Sequence, residues 1–312
     1  MSTPVRNIVV GVAPAAGEHP ALDAALQLAA AVGATLHVVR AYEPFTALGA
    51  PLTPEYAAAL VQASSPEAMR ALLEEDVRAR TDYAPLELCA AAGSAEAVLA
   101  DYAERVRAEL LVVGARRHGP VGRALLGGTA KALIREAEVP VLVVHEPFRH
   151  PLRRVLLSTD LSDLSALVHE RALDLVEQLF PGAEPQVASV LVIGAAPALP
   201  APLQGDVLGV ADQELTRWLR SRRPRPYRLV GRVRKGEARG RIVAEARESR
   251  TDLLVLGTHA RRGVRRLLAG SVAAGVVAAA QCNVLVIPAL RPLRHPSDRP
   301  VRARRAPEPA AG

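Results

Sequence analysis

The feature that most constrains this 312-residue chain is that it repeats itself. Gly93 and Gly236, Gly114 and Gly257, and Gly127 and Gly270 each stand 143 residues apart. The apolar runs around them recur as well: residues 8–12 are matched by 155–157, 34–39 by 187–192, and 141–144 by 284–287. Glycines and β-branched runs that return in step signal two copies of one structural unit. With half of its residues apolar, the chain is long enough to bury two cores.

Within each copy, short Val/Leu/Ile runs alternate with longer alanine-rich stretches at helical spacing. Those stretches cover residues 21–32, 94–106 and 129–137 in the first copy, and 165–179, 240–248 and 271–280 in the second. The strand runs are continuous rather than alternating, as strands covered on both faces are, which implies a parallel sheet with helices on each side. Each copy is therefore predicted to be a doubly wound, five-stranded α/β domain, the first at 1–148 and the second at 149–290. Between the second and third strands, residues 43–65 and 194–209 read as loops, leading into helical segments at 66–80 and 210–222. Trp218, the single tryptophan, reads as a half-buried helix anchor.

Charge argues little about partners. The net charge is +7, but residues 291–312 hold six arginines against Asp298 and Glu308, so the remainder carries only +3. That tail lacks apolar periodicity and is expected to be disordered. Nucleic acid is an unlikely partner on these grounds. No run reaches the ~18 apolar residues that span a bilayer, and MSTPVRNIVVGV does not read as a signal peptide, so a cytoplasmic protein without membrane contact is expected. Cys89 and Cys282 lie in separate apolar runs and read as structural thiols.

Residues 252–280 carry the strongest chemical signal. A short apolar run stops at Gly257, a glycine- and arginine-rich connection follows, and a helix opens near Ser271. The free N–H groups of a helix start, a glycine that lets backbone approach a ligand, and Arg261, Arg262, Arg265 and Arg266 together suit a phosphate. The same residues also fit an ordinary strand-to-helix connection with a solvated arginine face.

Gly257, Ala260, Gly270 and Ser271 are similar to the G-x2-G-x9-G-[ST] ATP-binding loop of the universal stress protein family, with alanine at the second glycine position. The resemblance extends over residues 5–145 and 153–288 and implies a tandem member of that family. It implies ATP or a related adenine nucleotide held by Asp160 with its neighbour Thr159 at the first strand end, and by the backbone at Val192 on the second strand. Gly257, His259, Ala260 and Arg261 would follow in the loop, with Gly270, Ser271 and Val272 at the helix start. Asp160 and Asp163 would help to hold Mg2+ through the phosphates.

The two copies are not equivalent under that reading. The first has Ala13, Ala41, Arg117 and Gly128 where the second has Asp160, Val192, Ala260 and Ser271, so the first is expected to be degenerate. Ala260 in a positive-φ position would cost about 1 kcal/mol. The resemblance implies a stress-response regulator acting through unidentified protein partners, and no histidine or carboxylate pair stands at catalytic spacing; the alternatives are a scaffold that binds no nucleotide and a slow ATP hydrolase. The resemblance also implies pairing of last strands, so Val141–Val144 and 284–287 are expected to pair within the chain as a built-in pseudo-dimer, with a homodimer optional.

Overall fold

The computed structural model describes residues 4–13, 19–43, 53, 60–115, 126–148, 151–194, 201–258 and 271–288, with backbone only for 201–206 and Ser271. The first copy runs β1 (Asn7–Gly11), α1 (Pro20–Val32), β2 (Thr35–Tyr42), α2 (Pro66–Arg78), β3 (Leu86–Ala92), α3 (Ala95–Arg105), β4 (Leu110–Gly114), α4 (Gly128–Glu136) and β5 (Val141–Val144). The second runs β6 (Arg154–Thr159), α5 (Asp163–Leu179), β7 (Gln186–Ile193), α6 (Ala201–Arg220), β8 (Leu229–Lys235), α7 (Ala238–Glu248), β9 (Leu253–Thr258), α8 (Ser271–Ala279) and β10 (Asn283–Pro288).

The strands form one sheet in the order β3-β2-β1-β4-β5-β10-β9-β6-β7-β8. Pairing is parallel within each copy and antiparallel where β5 meets β10. At that seam Val284 pairs with Val143, Leu285 with Leu142 and Val286 with Val141, so the copies face each other across a local two-fold axis near Leu142 and Leu285. Asn283, 1% exposed, closes the seam by accepting hydrogen bonds from the backbone N–H of His145 at 2.8 Å and Glu146 at 3.2 Å.

Side chains alternate between two apolar layers. Ile8, Val10, Leu36, Val155, Leu157 and Val255 pack with Leu28 of α1 and Leu173 of α5 on one face. Val9, Val39, Leu156, Val190 and Leu254 pack on the other with Leu99, Leu133, Ile242 and Val276 of α3, α4, α7 and α8. The repeat reaches into the hydrogen bonding. Glu109 accepts from Arg6 N and Asn7 N at 2.9 and 2.8 Å, and Asp252, 143 residues on, accepts from Arg153 N and Arg154 N at 2.9 and 2.8 Å. Each carboxylate pins the start of its copy's first strand to the start of the fourth. Gly93 and Gly236 adopt φ of 136° and 141°, a region that side chains rarely enter, and this explains why glycine recurs there.

The loop expected over 194–209 is shorter than its composition suggests, because α6 begins at Ala201. Pro202 falls in the first turn, where no intrahelical N–H is needed, and Gly205 and Gly209 are carried by a helix that anchors Leu215 and Leu219 against the sheet. Cys282 is buried, which pushes its thiol up to about 11, and both cysteines are free. Among the described residues no helix is long and apolar enough to cross a membrane.

Candidate functional site

In the second copy the winding direction reverses between β6 and β9, since β6 is followed by β7 on one side while β9 lies on the other. Bridges between β6 and β9 run to Leu157↔Val255, although β6 continues to Thr159 and β9 to Thr258. On its other side β6 holds β7 as far as Thr159↔Leu191. The two strands therefore part at their carboxyl ends and leave a crevice where doubly wound sheets bind ligands.

Asp160 follows β6 directly and is exposed at this crevice. Its Oδ1 accepts from Ser162 N at 3.1 Å, Ser162 Oγ at 2.6 Å and Ser165 Oγ at 2.6 Å. The turn that allows this has Leu161 at φ 62°, with Thr159 Oγ1 accepting from Leu161 N at 3.0 Å. Ser162 then caps α5 by accepting from Ser165 N at 3.1 Å. Serines two and five positions after an aspartate at a strand end were the sequence signal for this clasp, and they pass unnoticed without the turn geometry.

Val192 continues β7 one residue past Leu191 and so stands level with Asp160; it is half-buried against the α7 and α8 layer. Gly257 lies half-buried beside Ile287 of β10. Helix α8 connects β9 to the parallel β10 and must run back along the sheet, which puts its first residue, Ser271, at the crevice end, with Val272 45% exposed beside it. His259, Ala260, Arg261 and Gly270, with Arg262, Arg265 and Arg266, lie outside the described residues, as does the side chain of Ser271.

The first copy has the same crevice with a different lining. Pairing of β1 with β4 runs to Val10↔Val112, and the residue after Val12 is Ala13, which offers no side-chain acceptor. Ala41 takes the place of Val192, and Gly127 starts α4 without a side-chain cap bond. Arg117 lies outside the described residues. Among the described residues of either copy, no three His, Cys, Asp or Glu side chains cluster as a metal site.

One buried polar pair was not anticipated. His169 on α5 is 1% exposed, its Nε2 lies 2.7 Å from Ser189 Oγ on β7, and Trp218 of α6 meets its ring edge-on at 5.1 Å. Burial lowers the imidazole to about 4. These residues are 20 and 49 positions from His169 in sequence, so only the folded chain joins them.

A doubly wound sheet repeated in tandem, with an aspartate and a glycine at the switch point of its second copy, defines the class of protein. The profile of the universal stress protein family matches residues 4–145 and 151–288, and the chain belongs to that family. A universal stress protein of Mycolicibacterium smegmatis is 32% identical over 187 residues, which cover 58% of this chain and 62% of that protein, less than two thirds of its length. A universal stress protein from Archaeoglobus fulgidus has a similar fold, with a TM-score of 0.59 at 16% identity over 92% of this chain and 97% of that one. A functionally unknown protein from Pseudomonas aeruginosa PAO1 does too, with a TM-score of 0.65 at 18% identity over 91% and 93% of the respective chains.

Proposed function

We propose that the second copy binds an adenine nucleotide, ATP foremost, in the crevice between β6 and β9, and that the chain is a cytoplasmic stress-response regulator whose protein contacts change with nucleotide. The observation that carries this reading is the parting of β6 and β9 with Asp160 and Val192 level at its mouth and Gly257 one residue short of that level on β9. The described residues suit such a ligand: an exposed carboxylate can accept from ribose hydroxyls, a half-buried valine on a strand end can lie against a purine, and the amino end of α8 favours phosphate. Mg2+, if it accompanies ATP, would be held chiefly by the phosphates, with Asp160 and Asp163 near them. The first copy, with Ala13 in place of Asp160, is the silent partner.

Isothermal titration of ATP with Mg2+ into the full chain tests this through stoichiometry. One site per chain is expected, and Asp160→Ala should weaken it by about tenfold to a hundredfold, the worth of a charge-assisted hydrogen bond. Full affinity in that variant, or two equal sites, would refute the assignment. A second reading, a scaffold without nucleotide, is favoured by one detail: Oδ1 of Asp160 is already engaged by two serine hydroxyls. The absence of binding at millimolar ATP would put that reading first.

A further inference from the structure

At the other end of the sheet from the crevice, on the α7 side, a cavity of about 450 Å³ lies over the starts of β6, β7 and β8. Leu156, Ala188 and Val230 lie side by side in register and form its apolar floor. Val230 is 41% exposed, a bare aliphatic side chain in a concavity.

Arg154 and Arg228 also line the cavity, and among the described residues neither guanidinium is paired with a carboxylate; Arg154 donates to the carbonyl of Arg250 at 3.2 Å. Arg232 lines it too, but Glu245 holds that guanidinium. Glu184 is the acidic residue of the lining.

The first copy shows why this space is open. Strand register sets β2 against β7 two residues away from the match of the apolar runs 34–39 and 187–192, so that His37, 7% exposed, stands where the second copy has Ala188, and Tyr102 stands where it has Glu245. Their rings meet at 5.7 Å, with His37 Nδ1 3.3 Å from the tyrosine hydroxyl and Nε2 3.2 Å from Asn7 Oδ1. The second copy lacks both rings, and its Glu245 is held by Arg232 and Arg234 instead.

We propose that this cavity is a binding site for a small aromatic anion, whose ring lies on Leu156, Ala188 and Val230 and whose charged group meets Arg154 and Arg228. The volume lies within the range of small-molecule sites, and guanidinium groups pair well with a carboxylate or phosphate monoester. None of these residues belongs to the β6–β9 crevice, so the site stands whether or not that crevice takes a nucleotide.

The test is fluorine-detected NMR of para-fluorophenyl phosphate and para-fluorobenzoate titrated into the nucleotide-free full chain. Saturable binding of at least one probe is expected, unchanged in Asp160→Ala, weakened about tenfold or more in Arg228→Glu and lost in Ala188→Phe, which refills the floor. Because Arg228 is exposed, its variant keeps the test meaningful even if Ala188→Phe disturbs folding. Lack of saturation at millimolar probe, unchanged affinity in Arg228→Glu, or displacement by inorganic phosphate as readily as by the aryl probe would overturn the proposal.

Discussion

Acidification should cost this protein stability through one imidazole, His169. Its Nε2 faces Ser189 Oγ, while Nδ1 is buried with no hydrogen-bond partner, beside the edge of Trp218. With Nε2–H donating to the serine, Nδ1 is a bare lone pair, and protonating it would create a buried cation with an orphan donor. Burial dominates the shift, Arg222 and Arg225 reinforce it, and Glu170 opposes it, leaving a fall from 6.5 to about 4. The folded state thus takes up the proton later than the unfolded chain. The contribution is fully present above about pH 6.5 and is lost as pH falls toward about 4, by about 3 kcal/mol in all. Denaturant unfolding of wild type and His169→Gln at about pH 7.5 and about pH 4.5 isolates it, since carboxylate losses are common to both proteins. Wild type should lose about 2 to 3 kcal/mol more than the variant across that interval. An equal loss in the two proteins would refute the reasoning, whatever the variant's stability near neutrality.

Two further outcomes test the frame. Arg225, with a side chain 1% exposed, bonds Glu170 at 2.6 Å, Asp174 at 2.7 Å and Glu177 at 3.0 Å, and so ties the approach to β8 onto α5. Arg225→Met should lower stability by about 3 kcal/mol, because three neighbouring carboxylates lose their shared cation; an unchanged melting temperature would show the clamp to be idle. Gly236→Ala places a side chain at φ 141° and within 2.9 Å of Arg241 Cγ, and should lose about 1 to 3 kcal/mol in the same assay, whereas a neutral result would mean that the turn relaxes freely.

Much of the frame was legible because the chain states it twice. Gly93 and Gly236 recur because the backbone there needs positive φ, and the continuous aliphatic runs mark strands covered on both faces. The position of Asp160, Val192 and Gly257 at one end of the sheet follows from parallel winding alone. The start of α6 was not legible, since Pro202, Gly205 and Gly209 read as breakers until the packing of the helix is known. The clasp on Asp160 required the turn at Leu161, and the pairing of His169 with Ser189 required a helix to lie across a strand. The cavity was the least visible of all, because Ala188 and Glu245 are unremarkable residues until strand register sets them against His37 and Tyr102.

The seam between β5 and β10 has a consequence for how such a chain can change over time. Two separate copies meeting at this edge would have to carry identical residues on both sides and would come apart on dilution. Joined in one polypeptide, they meet at an effective concentration set by the short connection from β5 to β6, whatever the amount of protein present. Identity across the seam is then no longer required. Asn283, which accepts from His145 N and Glu146 N, has Pro140 as its counterpart in the repeat, and proline has no side-chain acceptor to return the contact. A bond made once, from one side only, is available to a fused pair and closed to a symmetric one, and the same freedom lets one crevice end in Ala13 while the other keeps Asp160.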